Sequence, residues 1–140
     1  MSAEIRVIPM LVCEDIEAAH DFYVRAFGFE PGGVSTGADG RAVHGEVRAG
    51  TTAIWLHRAT AEHRLAAPRT MEAVGSGLVV HVPDVDAHCA GARAAGAAIV
   101  REPVDQPYGQ REYEARDPEG HRWWFATPAA PPGDPTAHRE

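Results

Sequence analysis

The chain states one pattern twice, 69 residues apart, as Trp55 and Trp124 show (124 − 55 = 69). Glu14-Asp15-Ile16-Glu17-Ala18 in the first half is matched by Pro83-Asp84-Val85-Asp86-Ala87 in the second. The same offset carries Ile54 onto Trp123 and Leu56 onto Phe125. A repeat of this length implies two copies of one supersecondary unit. It also sets two tryptophans at equivalent positions and points to the space between the units as the place to look for function.

Each unit reads as β-α-β-β-β. Ile5 to Cys13 is a mostly apolar run and is expected to be a strand. Asp15 is a good helix N-cap and Glu17 a favourable first-turn acid. Ile16, Ala19, Phe22/Tyr23 and Ala26/Phe27 then recur at helical spacing, and Gly28 supplies the stop. Val34 to Val47 carries a turn at Gly37-Ala38-Asp39-Gly40. A strand follows in which Val43, Gly45 and Val47 alternate with His44, Glu46 and Arg48, the mark of one polar face. Thr51 to His57 is the next strand, and residues 58–76 are a linker of mixed helical character. The second copy runs through Leu78–Val82, a helix from Asp84 to Gly96, Ala97–Val100, and a hairpin of Tyr113–Arg116 and His121–Ala126. Asp117-Pro118-Glu119-Gly120 suits the turn of that hairpin. The expected organisation is one α+β domain over residues 1–127, made of modules 5–57 and 77–127. Pro128–Glu140, with four prolines and no apolar periodicity, is expected to be disordered. A four-stranded sheet with one helix leaves its other face open, so two units are expected to set their open faces around a shared cavity.

The bulk numbers exclude some partners. With 44% apolar residues among 140, the chain can bury a real core. A net charge of −7 disfavours nucleic acid. All 13 basic residues are Arg, which rules out a lysine Schiff base. Two isolated cysteines, Cys13 and Cys89, make neither a disulfide framework nor a cysteine zinc site, and buried, inert thiols are expected. The first eight residues lack a signal-peptide core and no run is long enough to span a membrane, so the expectation is a cytoplasmic protein.

Leu11-Val12-Cys13-Glu14-Asp15 through Phe22-Tyr23 and Ala26-Phe27-Gly28-Phe29 resembles the strand-to-helix segment of the vicinal oxygen chelate superfamily. That superfamily includes glyoxalase I, extradiol dioxygenases, and the fosfomycin- and bleomycin-resistance proteins. Val82-Pro83-Asp84-Val85-Asp86 through Ala94-Ala95-Gly96-Ala97 is similar to its second copy. Tyr108-Gly109-Gln110-Arg111-Glu112-Tyr113 followed by Arg116-Asp117-Pro118-Glu119-Gly120-His121 is the most specific block. The resemblance covers roughly residues 5–127. It implies the glyoxalase/bleomycin-resistance fold, a homodimer, and, in the metalloenzymes, a divalent ion held by one residue from each of four strands. Spacing places those four positions on Pro9, Trp55, Gly77 and Trp124. None offers a donor suited to a hard or borderline cation. The resemblance therefore points to the metal-free drug-binding members, with no cofactor, and leaves open whether the chain is an enzyme.

The site residues follow from that register. Trp55 and Trp124 are expected to sandwich a planar ligand between flat apolar surfaces. His57 shares a strand face with Trp55. His44 and Glu46 are expected on the cavity wall, where with His57 and His81 they are either a relocated metal site, an acid–base pair or simply wetted strand residues. Arg122 shares the Trp124 face and either grips a ligand carboxylate or phosphate or pairs with Glu46 or Glu114. Tyr108 and Arg111 edge the pocket, with Gly109 giving their loop a tight turn. Trp123 is expected in the core, and Asp117 and Glu119 are expected to be structural. Small-molecule binding, with sequestration as its most concrete form, is the leading expectation. A metal-dependent lyase or dioxygenase is the alternative.

Overall fold

Two four-stranded mixed sheets, each backed by one helix, are joined by their helix sides. A computed structural model describes residues 4–128. The first module comprises β1 (Met10–Cys13), α1 (Ile16–Phe27), β2 (Glu30–Thr36), β3 (Ala42–Ala49) and β4 (Thr52–Arg58). The second comprises β5 (Leu78–His81), α2 (Val85–Ala94), β6 (Ala98–Asp105), β7 (Gln110–Arg116) and β8 (Arg122–Pro128). Strand order is β1-β4-β3-β2 in one sheet and β5-β8-β7-β6 in the other, the same topology twice. The chain is thus α+β with two tandem β-α-β-β-β modules. Among the described residues no helix is long and apolar enough to cross a membrane.

The helices form where the spacing predicts. Asp15 Oδ1 accepts the Ala18 N–H at 3.0 Å, and Asp84 Oδ1 accepts that of Ala87 at 3.1 Å. Gly28 ends α1 at φ +75°, a conformation that costs glycine nothing. Ile16, Ala19, Phe22, Tyr23, Ala26 and Phe27 are the buried stripe of α1. They meet Leu11, Cys13, Ile54 and Leu56 from their own sheet and Trp123 and Phe125 from the other. Trp123 stands 5.3 Å from Phe27 and 5.5 Å from Tyr23, centroid to centroid, so one aromatic core unites the modules.

Several boundaries differ from the sequence reading. The first strand begins at Met10 rather than Ile5: the Pro9 carbonyl still accepts the Trp55 N–H at 2.9 Å, but residues 5–8 pair with no strand among the described residues, and Ile5 is 98% exposed. Residues 58–76 hold one 3-10 turn, Pro68–Thr70, and a single bridge between Thr60 and Leu65. β6 continues to Asp105 through two irregularities in its pairing with β7. The proline-containing tail 129–140 lies outside the described residues.

Two acids of the last hairpin turn lock the modules together. Asp117 Oδ2 accepts the Tyr23 hydroxyl at 2.5 Å and the Trp123 indole N–H at 2.8 Å. Its Oδ1 accepts the backbone N–H of Glu119 and of His121. Glu119 reaches the first module and accepts the backbone N–H of Glu14 at 2.7 Å and Asp15 at 2.9 Å, ahead of α1. Gly120 is required there, since a Cβ would overlap the backbone of Arg69. On α2, His88 forms a second tie. Its Nε2 donates to the Phe27 carbonyl at 2.9 Å while Nδ1 accepts from the Tyr113 hydroxyl at 2.7 Å, an arrangement that requires the neutral ring.

Two predictions follow from these ties. Asp117→Ala strands the buried Tyr23 and Trp123 donors and should cost about 3 kcal/mol or more, given ~1.5–3 kcal/mol for each hydrogen bond to a charged group. Urea unfolding measures the loss. Burial holds the His88 pKa below the ordinary histidine value of 6.5. The unfolded chain therefore takes up a proton that the folded chain does not, and stability falls as pH drops through about 6.5. Urea midpoints between pH 8 and 5 should fall less steeply in His88→Gln than in the unaltered protein.

Candidate functional site

Strand alternation sends one set of side chains into the core and the other onto an open face in each module. On β4, Ile54 and Leu56 are buried while Trp55 is 39% exposed. The register sets Glu46 and His44 of β3 opposite Trp55 and His57, with Met10 and Val12 of β1 on the other flank. The Trp55 indole donates to Glu46 Oε1 at 3.1 Å, and Glu46 Oε2 takes Arg48 at 3.2 Å. The indole N–H is therefore already used, and what the side chain offers is its ring. His44 stands edge-on to that ring, centroids 5.4 Å apart. His57 Nδ1 lies 2.8 Å from the Arg58 carbonyl, so the neutral ring donates there and keeps an acceptor lone pair on Nε2.

The second face is built the same way. Trp124 of β8 is paired with Glu114 of β7 on one side and Val79 of β5 on the other. Arg122 bridges to Glu114 Oε2 at 2.6 Å through Nη2, and its guanidinium carbon stands 5.0 Å from the centre of the Trp124 ring. Of the two pairings open to Arg122, the structure adopts the one with Glu114. Further along the face, the Tyr108 hydroxyl donates to Glu112 at 2.6 Å, which raises the Tyr108 pKa. His81 meets Gln110 at 2.8 Å.

The expected residues therefore fall into two groups rather than one. Trp55, His57, His44 and Glu46 share the first face, and Trp124, Arg122 and Tyr108 belong to the second. His81 is on the second face, away from His44, Glu46 and His57, so the chain does not assemble the relocated four-residue metal site. Among the described residues no group of three His, Cys, Asp or Glu side chains is placed to hold a metal. Arg111 is on neither face. It projects to the helix side with Tyr113 and grips Asp86 on α2 at 2.9 and 3.0 Å, with Asp105 at 3.2 Å. Those bonds push the arginine pKa up and hold Asp86 below the ordinary aspartate value.

The expected shared cavity also takes a different form. The helix sides pack inward, so the Trp55 and Trp124 faces both turn away from the common core. Between the modules lies a largely apolar cleft of about 770 Å³ on the helix side. It is lined by Ile54, Val80, His88 and Trp123, of which Ile54 and Trp123 are the chain neighbours of the two expected tryptophans. Both cysteines are buried, and burial pushes their thiols up, furthest at Cys13.

The four strand positions that the spacing assigns to metal ligands offer no side-chain donor suited to a cation. Pro9 and Gly77 carry no donor and Trp55 and Trp124 carry indoles. Gly77 shows how complete the replacement is, because a Cβ there would overlap the six-membered ring of Trp124. The indole occupies the space a ligating side chain would need. Missed at the sequence level were Glu112, legible from the β7 alternation, the seat of Glu114 opposite Trp124, and the cradle at Gly77, which only the ring position reveals.

The family model for the Glyoxalase/Bleomycin resistance protein/Dioxygenase superfamily matches residues 7–125. The chain belongs to that superfamily. It is 32% identical to Rv0887c of Mycobacterium tuberculosis, over 91% of this chain and 77% of that protein. Among solved structures it is similar to TioX from Micromonospora sp. ML1, with 32% identity, a TM-score of 0.69, and coverage of 89% of this chain and 98% of TioX. TnmS3 from Streptomyces sp. CB03234, described as an antibiotic binding protein, is 26% identical with a TM-score of 0.63, over 91% of this chain and 99% of TnmS3.

Gly77→Ala tests the cradle. The added methyl must displace the Trp124 ring, and overpacking of this kind costs about 1–3 kcal/mol. An altered Trp124 indole signal in a two-dimensional NMR spectrum, with the Trp55 signal unmoved, is the expected result.

Proposed function

We propose that this protein binds a planar aromatic or heterocyclic small molecule without a metal, in the manner of a sequestering antibiotic-binding protein. The observation that carries this reading is the pair of indoles, Trp55 and Trp124, on the two open faces, one of them seated over Gly77. An exposed indole beside a carboxylate is a stacking platform, worth about 1–3 kcal/mol per planar base in well-studied cases. Likeness to TnmS3, itself an antibiotic binding protein, supports the same class of ligand.

Two copies complete the site in this reading. Met10, Trp55 and Val79 are exposed apolar residues on the open faces. β1 and β5 are each bonded on one edge only. Unpaired edges and exposed apolar faces are surfaces that soluble proteins cover. The Trp55 face of one copy meeting the Trp124 face of the next would close the cavity that one chain leaves open. Sedimentation should give a dimer, and Val79→Glu should shift it to the monomer.

Ligand screening by tryptophan fluorescence tests the binding itself. Trp55→Ala should weaken a hit by about 1–3 kcal/mol, and the ligand should be recovered unchanged. Affinity that survives Trp55→Ala and falls in Val80→Glu would move the ligand to the helix-side cleft, the second reading, which rests on that cleft's volume and apolar walls. One metal ion per chain in untagged protein, lost in His57→Ala, would overturn the metal-free reading.

A further inference from the structure

We propose that the Trp124 face carries an oxyanion subsite centred on Arg116, which selects ligands whose planar ring bears a carboxylate or a similar acidic group. The inference rests on the planar-ligand reading above, and its test separates the two.

The chain is acidic overall, yet this end of the face is locally basic. Register sets Arg101 opposite Glu114, Glu114 opposite Trp124, and Arg116 opposite Arg122. Three guanidiniums thus surround one carboxylate. The Asp117 N–H bonds the His121 carbonyl, so the next pair inward, Arg116 and Arg122, is a non-hydrogen-bonded pair. Such pairs bring facing side chains closest, and like charges there repel. Arg122 escapes through Glu114, with Nε at 2.8 Å and Nη2 at 2.6 Å from Oε2. Arg101 reaches the other oxygen of Glu114 at 3.9 Å. Glu114 is only 2% exposed, and its charge is shared by these two arginines.

Arg116 is left over. It is exposed, and among the described residues it has no carboxylate within ion-pair distance. Arg116 and Arg122 line one cleft of about 470 Å³, together with Pro118, Gly120 and the Pro68–Val74 segment. Arg69 in the same cleft is held by Glu14 at 2.6 Å. Two acids also line it. Asp117 is turned inward on its four donors, and Glu72 makes no ion pair among the described residues. A free guanidinium beside a second one is a site for an oxyanion, which the planar fork binds through two parallel hydrogen bonds. A ligand oxyanion placed there would relieve the Arg116–Arg122 repulsion and meet Arg122, whose guanidinium carbon stands 5.0 Å from the centre of the Trp124 ring.

The test compares 2-naphthoate with 2-naphthamide by calorimetry on the full chain. A charged hydrogen-bonded pair is worth about 1.5–3 kcal/mol, so the acid should bind about tenfold or more tightly. Arg116→Gln should erase that preference and leave naphthamide binding unchanged, whereas Trp55→Ala should weaken both probes together. Equal binding of the two probes to the unaltered protein, or a preference that survives Arg116→Gln, would overturn the subsite alone. Binding of neither probe would count against the planar-ligand reading. Titration of inorganic phosphate and sulfate against the Arg116 Nε–H signal then decides the subsite separately. A saturable shift supports it, and no shift overturns it. Naphthyl phosphate and naphthalenesulfonate, run in parallel, show which oxyanion fits best.

Discussion

The orientation of the whole molecule depends on one hairpin turn. Asp117 and Glu119 belong to the second module, yet their acceptors serve Tyr23, Glu14 and Asp15 of the first. Buried carboxylates are costly unless every lone pair finds a donor. Here the donors are two side chains and four backbone N–H groups, so the turn holds only when both modules are in place. Arg69 adds its backbone N–H to the Glu119 carbonyl and its guanidinium to Glu14. The clamp fixes the helix side as the inside. With that settled, Trp55 and Trp124 have nowhere to go but the outer faces.

Duplication then gives each face the same parts. Trp55 is opposite Glu46, which takes Arg48, and Trp124 is opposite Glu114, which takes Arg122. The two sets are not equal. In the first, the indole itself bonds the carboxylate and the arginine is peripheral. In the second, the arginine takes the carboxylate and stacks against the indole, so the ring is less open. Trp55 is accordingly the stronger stacking platform, and the Trp124 face is the more strongly charged.

Much of this was legible in the sequence because period-two alternation and helix capping are local signals. Ile54 and Leu56 against Trp55, or Asp15 and Gly28 around α1, needed no tertiary information. The place of Glu114 opposite Trp124 is not visible in the repeat that reveals Trp124. An offset of 69 carries Glu46 onto Ala115 (46 + 69 = 115), because the β7–β8 turn leaves one more residue between Glu114 and Trp124 than separates Glu46 from Trp55. Arg111 was placed with Tyr108 as loop, although the burial of Tyr113 fixes odd-numbered residues of β7 on the helix side. Which way the modules pack is decided by buried contacts between Trp123 and α1, residues nearly a hundred positions apart, and no local pattern encodes them.

That packing choice has a chemical consequence. A core between the modules, filled by Trp123, Phe27 and Phe125, removes the pressure on the outer faces to be apolar. Those faces can then hold carboxylates, histidines and arginines at strand positions where a metal enzyme would place its ligands. With indoles at Trp55 and Trp124, the carboxylates beside them turn to protein partners. Glu46 anchors an indole and Glu114 neutralises arginines, and each carboxylate is spent on protein partners. Among the described residues, the groups left unspent include the ring of Trp55, Nε2 of His57 and the guanidinium of Arg116. In the proposed pairing of the Trp55 face of one copy with the Trp124 face of the next, a flat surface, an acceptor and a cationic fork would together complement a planar molecule that bears a donor and an acid. Specificity in that reading would follow from which polar groups the fold has left without partners.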